Sequence, residues 1–446
     1  MTQPDTHTDF RRPSVWSIAA PSIAMFMIST LAGVVLIRIA AGLGTPAVAA
    51  VTAGQRVNFI ILALLMGMGA ATTALVSRAW GAKNSDAAVD ATRQSLKVGL
   101  TVCALLSITA ISLAKPLAHF FQLEGESYQL AVSYVRLLSL FGVFQGVMMI
   151  LSTACRAIGD AKTPLFVGIL VNTISVVAAY GFAYGRWGMP DMGVNGVAIG
   201  WGIAYGVGTL CYLVLWLNNR LLLPFSYTGK PPQGNLNRFL TICLPATVEQ
   251  LIMQTAMLMF IAFIAGYGTE AFSAYGVGMS LFAVTMVIGL GFSIAASALV
   301  GQSLGAGDSQ GALDSTAFAL KQSIIVLSAT GLASALFANP LANAMVDDPK
   351  VAELTAQFVL ALALVQPLLA VDFVLGGAMR GAGYTGFPLI AGIVAILGVR
   401  LPLAALISEY QWSVGWIFSV FIADQLVKVT LIVRRYRTHV WLRCPG

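Results

Sequence analysis

Twelve long apolar stretches, separated by short polar connections, account for most of this sequence. They cover residues 15–42, 50–76, 95–113, 129–154, 165–184, 193–218, 239–265, 272–300, 318–336, 351–378, 386–408 and 413–433. An α-helix needs about 20 apolar residues to cross a bilayer, whereas the strands of a membrane barrel alternate over about ten. Charged residues make up only 10% of the chain, and a soluble protein carries about 25%. The sequence therefore predicts an all-α integral membrane protein with twelve transmembrane helices.

The polar connections divide the chain into two halves. Glycine and proline mark the breaks between stretches, and no connection is long enough to hold a soluble domain. The predicted organisation is given by five ranges: a cytoplasmic N-terminal tail 1–14, an N-lobe 15–218, a cytoplasmic linker 219–238, a C-lobe 239–433 and a basic cytoplasmic tail 434–446.

The net charge of +7 is distributed unevenly between the two sides of the predicted membrane. With a cytoplasmic N-terminus, the cytoplasmic segments hold Arg11, Arg12, Arg78, Lys83, Arg93, Lys97, Arg156, Lys162, Arg220, Lys230, Arg238, Lys321, Arg380, Arg434, Arg435, Arg437 and Arg443. The opposite side receives only Lys115, Arg186 and Lys350. This bias predicts that both termini are cytoplasmic. The basic excess is then explained by membrane topology. We therefore expect the lipid bilayer as a partner and no nucleic-acid partner.

Cofactor and catalytic motifs do not stand out in the sequence. The five cysteines are scattered, and the three histidines lie outside the apolar stretches, so neither a disulfide framework nor a metal cluster is expected. The glycine-rich loops lack the lysine and hydroxyl residue of a phosphate loop. An intramembrane enzyme, such as a prenyl transferase, would need aspartate-rich motifs that are missing. We expect no enzyme activity and an ion gradient as the energy source.

An internal repeat relates the two halves at one constant offset. Pro21 matches Pro245 and Arg156 matches Arg380, both 224 residues apart (245 − 21 and 380 − 156). Because each copy holds six spans, both copies enter the membrane in the same orientation, which predicts two bundles related by a pseudo-two-fold axis along the membrane normal. Rocking one bundle against the other would expose the cleft between them to each side in turn. The pattern indicates a transporter; a duplicated scaffold without transport is the alternative.

The paired motifs resemble the multidrug and toxic compound extrusion (MATE) family over essentially the whole chain. They read CRAIGDAKTP at 155–164, ALVGQSLGAGD at 298–308, MRGAG at 379–383 and VRLPL at 399–403, and their spacing is closest to the DinF-like bacterial branch. The resemblance implies a cation-coupled multidrug antiporter of the bacterial inner membrane with a V-shaped cleft. It also implies bulky organic substrates, cationic for the most part, Na⁺ or H⁺ as the coupling ion and no other cofactor. We expect it to function as a monomer.

Two acids stand out within the predicted spans of the C-lobe. Glu249 lies one turn after Pro245, and Asp372 lies five residues after Pro367. Charged groups at membrane depth are costly and therefore functional candidates. Two buried carboxylates can hold a hard cation such as Na⁺ or share a proton, and NorM-like members of the family resemble this arrangement. Structural pairing with Arg400 or backbone donors, and direct drug contact, are the alternatives.

Further charged and polar residues in the spans are candidates for coupling or gating: Arg38, Arg400, Gln250 and Gln254, with Asp424 and Lys428 near the end of the last span. Arg38 is expected to reach the periplasmic surface. Pairing with an acid across the cleft, or repulsion of cations until an acid is neutralised, are the alternatives. Together, Arg38 and Arg400 keep open a second function, a flippase for lipid-linked oligosaccharides of the same wider superfamily, because such a cleft needs cations for the phosphate.

The two lobes differ at the acids. Under the 224-residue offset Glu249 corresponds to Met25 and Asp372 to Met148. DinF-like members carry an aspartate in the first span where this chain has Leu36. The coupling site is therefore predicted in the C-lobe alone.

Methionine and aromatic side chains are abundant in the spans and suit a promiscuous apolar cleft. The residues predicted to line it are Met25, Met148, Phe144, Met253 and Tyr275.

Overall fold

The structure, a computed structural model, describes residues 13–223 and 236–443, and within these ranges the regular structure is entirely helical. The N-lobe contains α1 Val15–Ala41, α2 Thr45–Gly81, α3 Ser85–Ser112, α4 Ala114–Phe120, α5 Gly125–Leu140, α6 Gly142–Ala157, α7 Lys162–Tyr184 and α8 Val194–Leu217. The C-lobe contains α9 Leu236–Ala265, α10 Thr269–Gly305, α11 Ser309–Leu336, α12 Ala338–Met345, α13 Pro349–Gly381, α14 Gly386–Ala395, α15 Leu401–Glu409 and α16 Val414–Arg437.

The described helices provide twelve membrane spans. Eleven are long and apolar enough to cross a bilayer, counting the α14–α15 segment as one, and α5 with α6 forms a further span that bends by 42°. The predicted fold class is therefore confirmed. Two helices begin much earlier than predicted. Polar caps start α3 and α11 more than two turns before the predicted spans, at Ser85 instead of 95 and at Ser309 instead of 318. Asn84 and Asp308 accept hydrogen bonds from the backbone N–H of Ala87 and Gly311.

The 224-residue offset holds for elements that hydropathy did not predict. The short helices α4 and α12 begin at Ala114 and Ala338, and both follow the third span of their lobe. The lobes differ in two places. The N-lobe breaks its fourth span at Phe141, whereas α13 is continuous, and the eleventh span contains a π-helical turn, Ile396–Arg400, between α14 and α15.

Glycines bring the two lobes into direct contact, and they do so in reciprocal pairs. A Cβ atom at Gly81 would collide with the carbonyl oxygen of Gln302, and one at Gly305 would collide with that of Arg78. These two contacts are related by the offset. Ser77 and Gly301 are also 224 residues apart, and they touch each other. They therefore mark the pseudo-two-fold axis.

The contacts between the lobes lie toward one end of the bundle. This is the end where Gly159 approaches Pro13 and Gln302; we call it the inner end, because the charge bias predicts that it is cytoplasmic. Here Ile18 packs with Phe292, and Leu65 packs with Phe239, in clusters drawn from both lobes. At the opposite, outer end the buried clusters belong to a single lobe each, one containing Val51 and the other Phe358. The lobes therefore enclose a cleft that narrows toward the inner end.

The predicted linker and tails fall partly outside the described residues, since 1–12, 224–235 and 444–446 are not included. Where the chain is described, α9 begins at Leu236 and α16 continues to Arg437. Beyond α16, the indole of Trp441 is buried, stacks on Tyr436 and donates to the Tyr436 carbonyl at 3.0 Å. The described part of the basic tail thus packs against the C-lobe.

Candidate functional site

Glu249 forms an ion pair with an arginine from the far end of another helix. It lies on α9, where its side chain is 4% exposed, and its Oε1 accepts a hydrogen bond from Nη2 of Arg380 at 2.9 Å. Arg380 ends α13 in the turn that carries the MRGAG motif. Its guanidinium also interacts electrostatically with Asp372, two turns earlier on the same helix. Arg380 therefore connects the two predicted acids.

Asp372 has a second cation of its own. Lys428, on α16, donates from Nζ to Asp372 Oδ2 at 2.8 Å, and the two side chains are 5% and 10% exposed. A pair this deeply buried needs both members, since either alone would be an uncompensated charge in an apolar surrounding.

A third ion pair joins the π-helical turn to α16. Arg400, the last residue of that turn, donates from Nε to Asp424 Oδ2 at 2.8 Å. Its guanidinium also lies 4.4 Å from the centre of the Phe421 ring. Pro402 follows two residues later and lacks the backbone N–H that a regular helix would use. Arg400 was predicted as an alternative partner of Glu249 or Asp372. That alternative is wrong, because Arg400 forms its ion pair with Asp424.

The three pairs form one buried, electrically balanced set in the C-lobe, which we call the C-lobe charge cluster. Its members are Glu249, Asp372, Asp424, Arg380, Arg400 and Lys428. Lys428 and Asp424 also interact electrostatically, so the pairs are not independent. Helices α9, α13 and α16 and the π-helical turn each contribute at least one member.

Two carboxylate oxygens in this cluster, Glu249 Oε2 and Asp424 Oδ1, are left without a donor among the described residues. Glu249 Oε2 is buried and has no hydrogen-bond partner among residues 13–223 and 236–443. Of the two acids, Glu249 alone lines a narrow cavity, together with Met253, Gly392 and Lys428, and this cavity is too small to hold a water molecule. A buried carboxylate oxygen without a donor is costly, and it is a position at which a proton or a cation would bind.

Comparison with known proteins agrees with the two-lobed arrangement. The sequence model of the MatE family matches the chain twice, over residues 21–181 and 245–406, once in each lobe. The chain belongs to the MatE family. Its members are transporters and not enzymes, so the predictions of a transporter and of no enzyme activity are both confirmed.

Individual MatE relatives match over most of their length. The probable multidrug resistance protein NorM of Thermotoga maritima is 26% identical over 404 residues, which cover 89% of this chain and 85% of that protein. An FAD transporter of Shewanella oneidensis is 24% identical, with 87% and 86% covered. A structure described as the outward-facing conformation of a multidrug resistance MATE family transporter superposes with a TM-score of 0.89 at 19% identity, covering 96% of both chains.

The N-lobe of this MatE protein has no counterpart of the charge cluster in its described residues. The equivalent of Arg380 is Arg156, and the equivalent of Glu249 is Met25. These two are also in contact, since Arg156 Nη1 lies 3.7 Å from Met25 Sδ. The geometry of the pair is thus repeated, while the acid is replaced by a thioether. Leu36 packs against an apolar cluster.

The remaining polar candidates of this MatE protein lie outside the cluster. Gln250 is half-buried on α9, Gln254 is exposed, and Arg38 is exposed in the last turn of α1. The exposed position of Arg38 agrees with a side chain that reaches the membrane surface.

The residues predicted to line the cleft are dispersed. Met25 packs near Gly168, and Met148 near Gly208, both within the N-lobe. Phe144 is 39% exposed and stacks on Phe141. In the C-lobe, Met253 lines the cavity beside Glu249.

Tyr275, the fifth of these residues, is buried in an aromatic core with Phe260 and Phe358. Its hydroxyl donates to Met257 Sδ at 3.3 Å. In this conformation the Tyr275 ring does not form part of an open surface.

The sequence reasoning missed Arg380 as a site residue and classed it with the topological arginines. The repeat contained the signal that would have found it. Arg156 and Arg380 are retained at equivalent positions in the two lobes, and each ends a span next to apolar residues.

Proposed function

We propose that this protein is a secondary active exporter that exchanges bulky organic compounds for a cation by alternating access. The coupling cation binds in the C-lobe, at Glu249 and Asp372. Relatives named as multidrug resistance proteins support multidrug compounds as the substrate class.

The observation that carries the proposal is the buried Glu249 Oε2, which lacks a donor while Oε1 accepts from Arg380. Asp424 Oδ1 also lacks a donor, but Asp424 does not line the cavity. A proton needs only one such oxygen, whereas Na⁺ needs several oxygen ligands. Among the described residues there is no group of three acidic, histidine or cysteine side chains that could hold a metal ion. These features support H⁺ over Na⁺ as the coupling ion.

The balance of charge in the cluster explains how an entering cation would be coupled to export. The three acids and three bases sum to zero, so a proton on Glu249 leaves a net positive charge in a region of low dielectric. This charge disfavours a cationic compound in the same lobe. Proton and cationic substrate would therefore occupy the protein in alternation, which is the requirement for antiport.

The lobe interface supports alternating access. The lobes touch at the inner end through glycine contacts and separate toward the outer end. Contacts of this kind between backbones can separate without leaving buried charges unpaired, because the charge cluster lies within the C-lobe. Each lobe would thus move as a unit.

The structure gives the flippase alternative less support than the sequence did. It depended on Arg38 and Arg400 as cations for a phosphate. Arg400 is neutralised by Asp424, and Arg38 is exposed at the end of its helix. Neither residue supplies a cationic cleft.

The proposal is tested by efflux of a cationic dye from vesicles under an imposed proton or sodium gradient. We expect Glu249→Gln and Asp372→Asn each to reduce gradient-driven efflux by about tenfold or more, since each removes a titratable carboxylate from the coupling site. Glu353→Gln is the matched control, because Glu353 is an exposed acid on the same helix as Asp372.

Wild-type efflux driven by the proton gradient alone would identify H⁺ as the coupling ion. Efflux in both variants at the wild-type rate would refute coupling in the C-lobe. Loss of efflux in the Glu353→Gln control would show that the assay reports general damage to the protein.

A further inference from the structure

The N-lobe buries a guanidinium that has no acidic partner among residues 13–223 and 236–443. Arg156 is 5% exposed. Its two terminal nitrogens donate to the hydroxyls of Ser152 at 2.7 Å and Thr153 at 3.2 Å, and its Nε has no hydrogen-bond partner among the described residues. A buried cation without a counter-ion is costly. In the C-lobe the equivalent cost is offset by Glu249.

The surroundings of Arg156 supply hydroxyl groups, and the ion pairs of the described residues include none with Arg156. Its contacts are the hydroxyls of Ser152 and Thr153, the thioether of Met25 and, at 6.0 Å, the ring of Phe26. A guanidinium flanked by hydroxyls is the donor set that binds a carboxylate or a phosphate group. It offers nothing to a cation.

A polar route leads from this arginine toward an exposed surface. Met25, a flexible side chain, lies against Arg156 and near Gly168 of α7. One turn further along both helices, Asn172 donates to the hydroxyl of Ser29 at 3.1 Å, and Ser29 is exposed. Asn172 is half-buried. Polar side chains are therefore accessible one turn beyond Met25, and Met25 separates them from Arg156.

We propose that Arg156 binds the anionic group of a transported compound, a carboxylate in the first instance. The proposal rests on the exporter function and assigns to one N-lobe residue the recognition of that group. The Met25 side chain moves aside to admit the group, which thioethers do at little energetic cost.

A purely structural explanation for Arg156 also exists. Arg156 lies in the last turn of α6, where a cation stabilises the helix dipole. The two roles differ in what they predict for substrates. A structural arginine affects every substrate alike, while an anion-binding arginine affects only those with an anionic group.

The test uses a rhodamine dye with a free carboxylate and its methyl ester, which differ in that one charge. Binding is measured by fluorescence polarisation on the purified protein, and efflux is measured in proteoliposomes. In the wild type we expect tighter binding of the acid than of the ester. Arg156→Gln should weaken binding of the acid by about tenfold, and leave the ester unchanged, because one charge-assisted contact is lost.

Met25→Glu provides a second variant that keeps the arginine. It rebuilds in the N-lobe the pair that Glu249 and Arg380 make in the C-lobe, and it should abolish the preference for the acid. Met25→Gln is the matched neutral control and should retain the preference. If Arg156→Gln does not fold, this second comparison carries the test alone.

Three results with the dyes would each overturn the proposal: equal affinity of the wild type for both dyes, equal loss of binding of both dyes in the variants, or an unchanged acid preference in Met25→Glu. Adding phosphatidylglycerol to phosphatidylcholine proteoliposomes distinguishes a lipid headgroup as the ligand. If the anionic lipid raises the KM for the acid in the wild type but not in Arg156→Gln, the site binds a lipid headgroup. This result would also overturn the proposal. Gradient-driven efflux of the ester tests the exporter function separately.

Discussion

Asp372 and Lys428 show how strongly a single buried ion pair depends on both of its members. The pair is almost fully buried, with an Nζ–Oδ2 distance of 2.8 Å. Lys428→Met should therefore destabilise the protein by about 3–5 kcal/mol, since it leaves a buried carboxylate without its nearest cation. The measurement is the midpoint of thermal unfolding in detergent.

The double variant Asp372→Leu/Lys428→Met provides the control. It removes both charges, and its stability should recover most of the loss, because an apolar pair of similar volume replaces the ion pair. A double variant that is less stable than Lys428→Met alone would contradict this account of the pair.

At the residue scale, the sequence predicted the acids and not their partners. Glu249 and Asp372 were recognisable because ionised groups are rare within membrane spans. Arg380 lies 131 residues from Glu249, and Lys428 lies 56 residues from Asp372. Contacts at such separations depend on how the helices pack, which hydropathy does not encode. Met25 and Arg156 indicate that the repeat supplies part of this information, because equivalent positions make equivalent contacts.

At the scale of single elements, Gly305 on α10 controls how closely the two lobes approach. A Cβ atom there would collide with the carbonyl oxygen of Arg78, which is backbone and cannot rotate away. Gly305→Val should therefore separate the inner ends of the lobes and favour the alternative conformation.

The measurement is the rate at which a thiol reagent modifies a cysteine introduced at Ser77, in a background without native cysteines. Ser77 is fully buried at the lobe interface, and Gly305→Val should raise the rate several-fold. Gly276→Val, on the same helix, is the control, because a Cβ atom at Gly276 has open space around it. Equal rates in both variants would argue against control by Gly305.

Sequence periodicity predicted where the spans lie but not how they begin and end. Apolar residues delimit the part of a helix that lies in lipid, whereas the caps at Asn84 and Asp308 lie in polar sequence and extend α3 and α11. The π-helical turn that ends at Arg400 was also not predictable. Pro402 indicated a local disturbance of the helix. The packing of α16 against this turn places Arg400 within hydrogen-bond distance of Asp424.

At the scale of the whole molecule, the fold and the cleft follow from the repeat, and the direction of opening follows from packing. The pair Ser77 and Gly301 lies on the axis, where the lobes touch most closely. Ser77→Cys combined with Gly301→Cys should form a disulfide under mild oxidation, since a Cβ atom at Gly301 lies 2.9 Å from that of Ser77, and the usual separation of about 3.8 Å needs only a small adjustment.

This disulfide should stop efflux by holding the inner ends together, and reduction should restore it. The readouts are dye efflux before and after a reducing agent and the thiol content of the protein. Each single-cysteine variant is the control, and its efflux should not change on oxidation or reduction. Full transport by the cross-linked protein would mean that the lobes need not separate at Ser77.

The same axial pair bears on how such a chain can evolve. In a homodimer of identical six-helix subunits, any residue on the two-fold axis meets its own copy, so two serines would crowd each other and two glycines would leave a gap. Here serine meets glycine, and the fit is close. Joining two copies in one gene permits this heterotypic contact. By the same freedom, one descendant of the ancestral subunit keeps glutamate beside its arginine while the other keeps methionine.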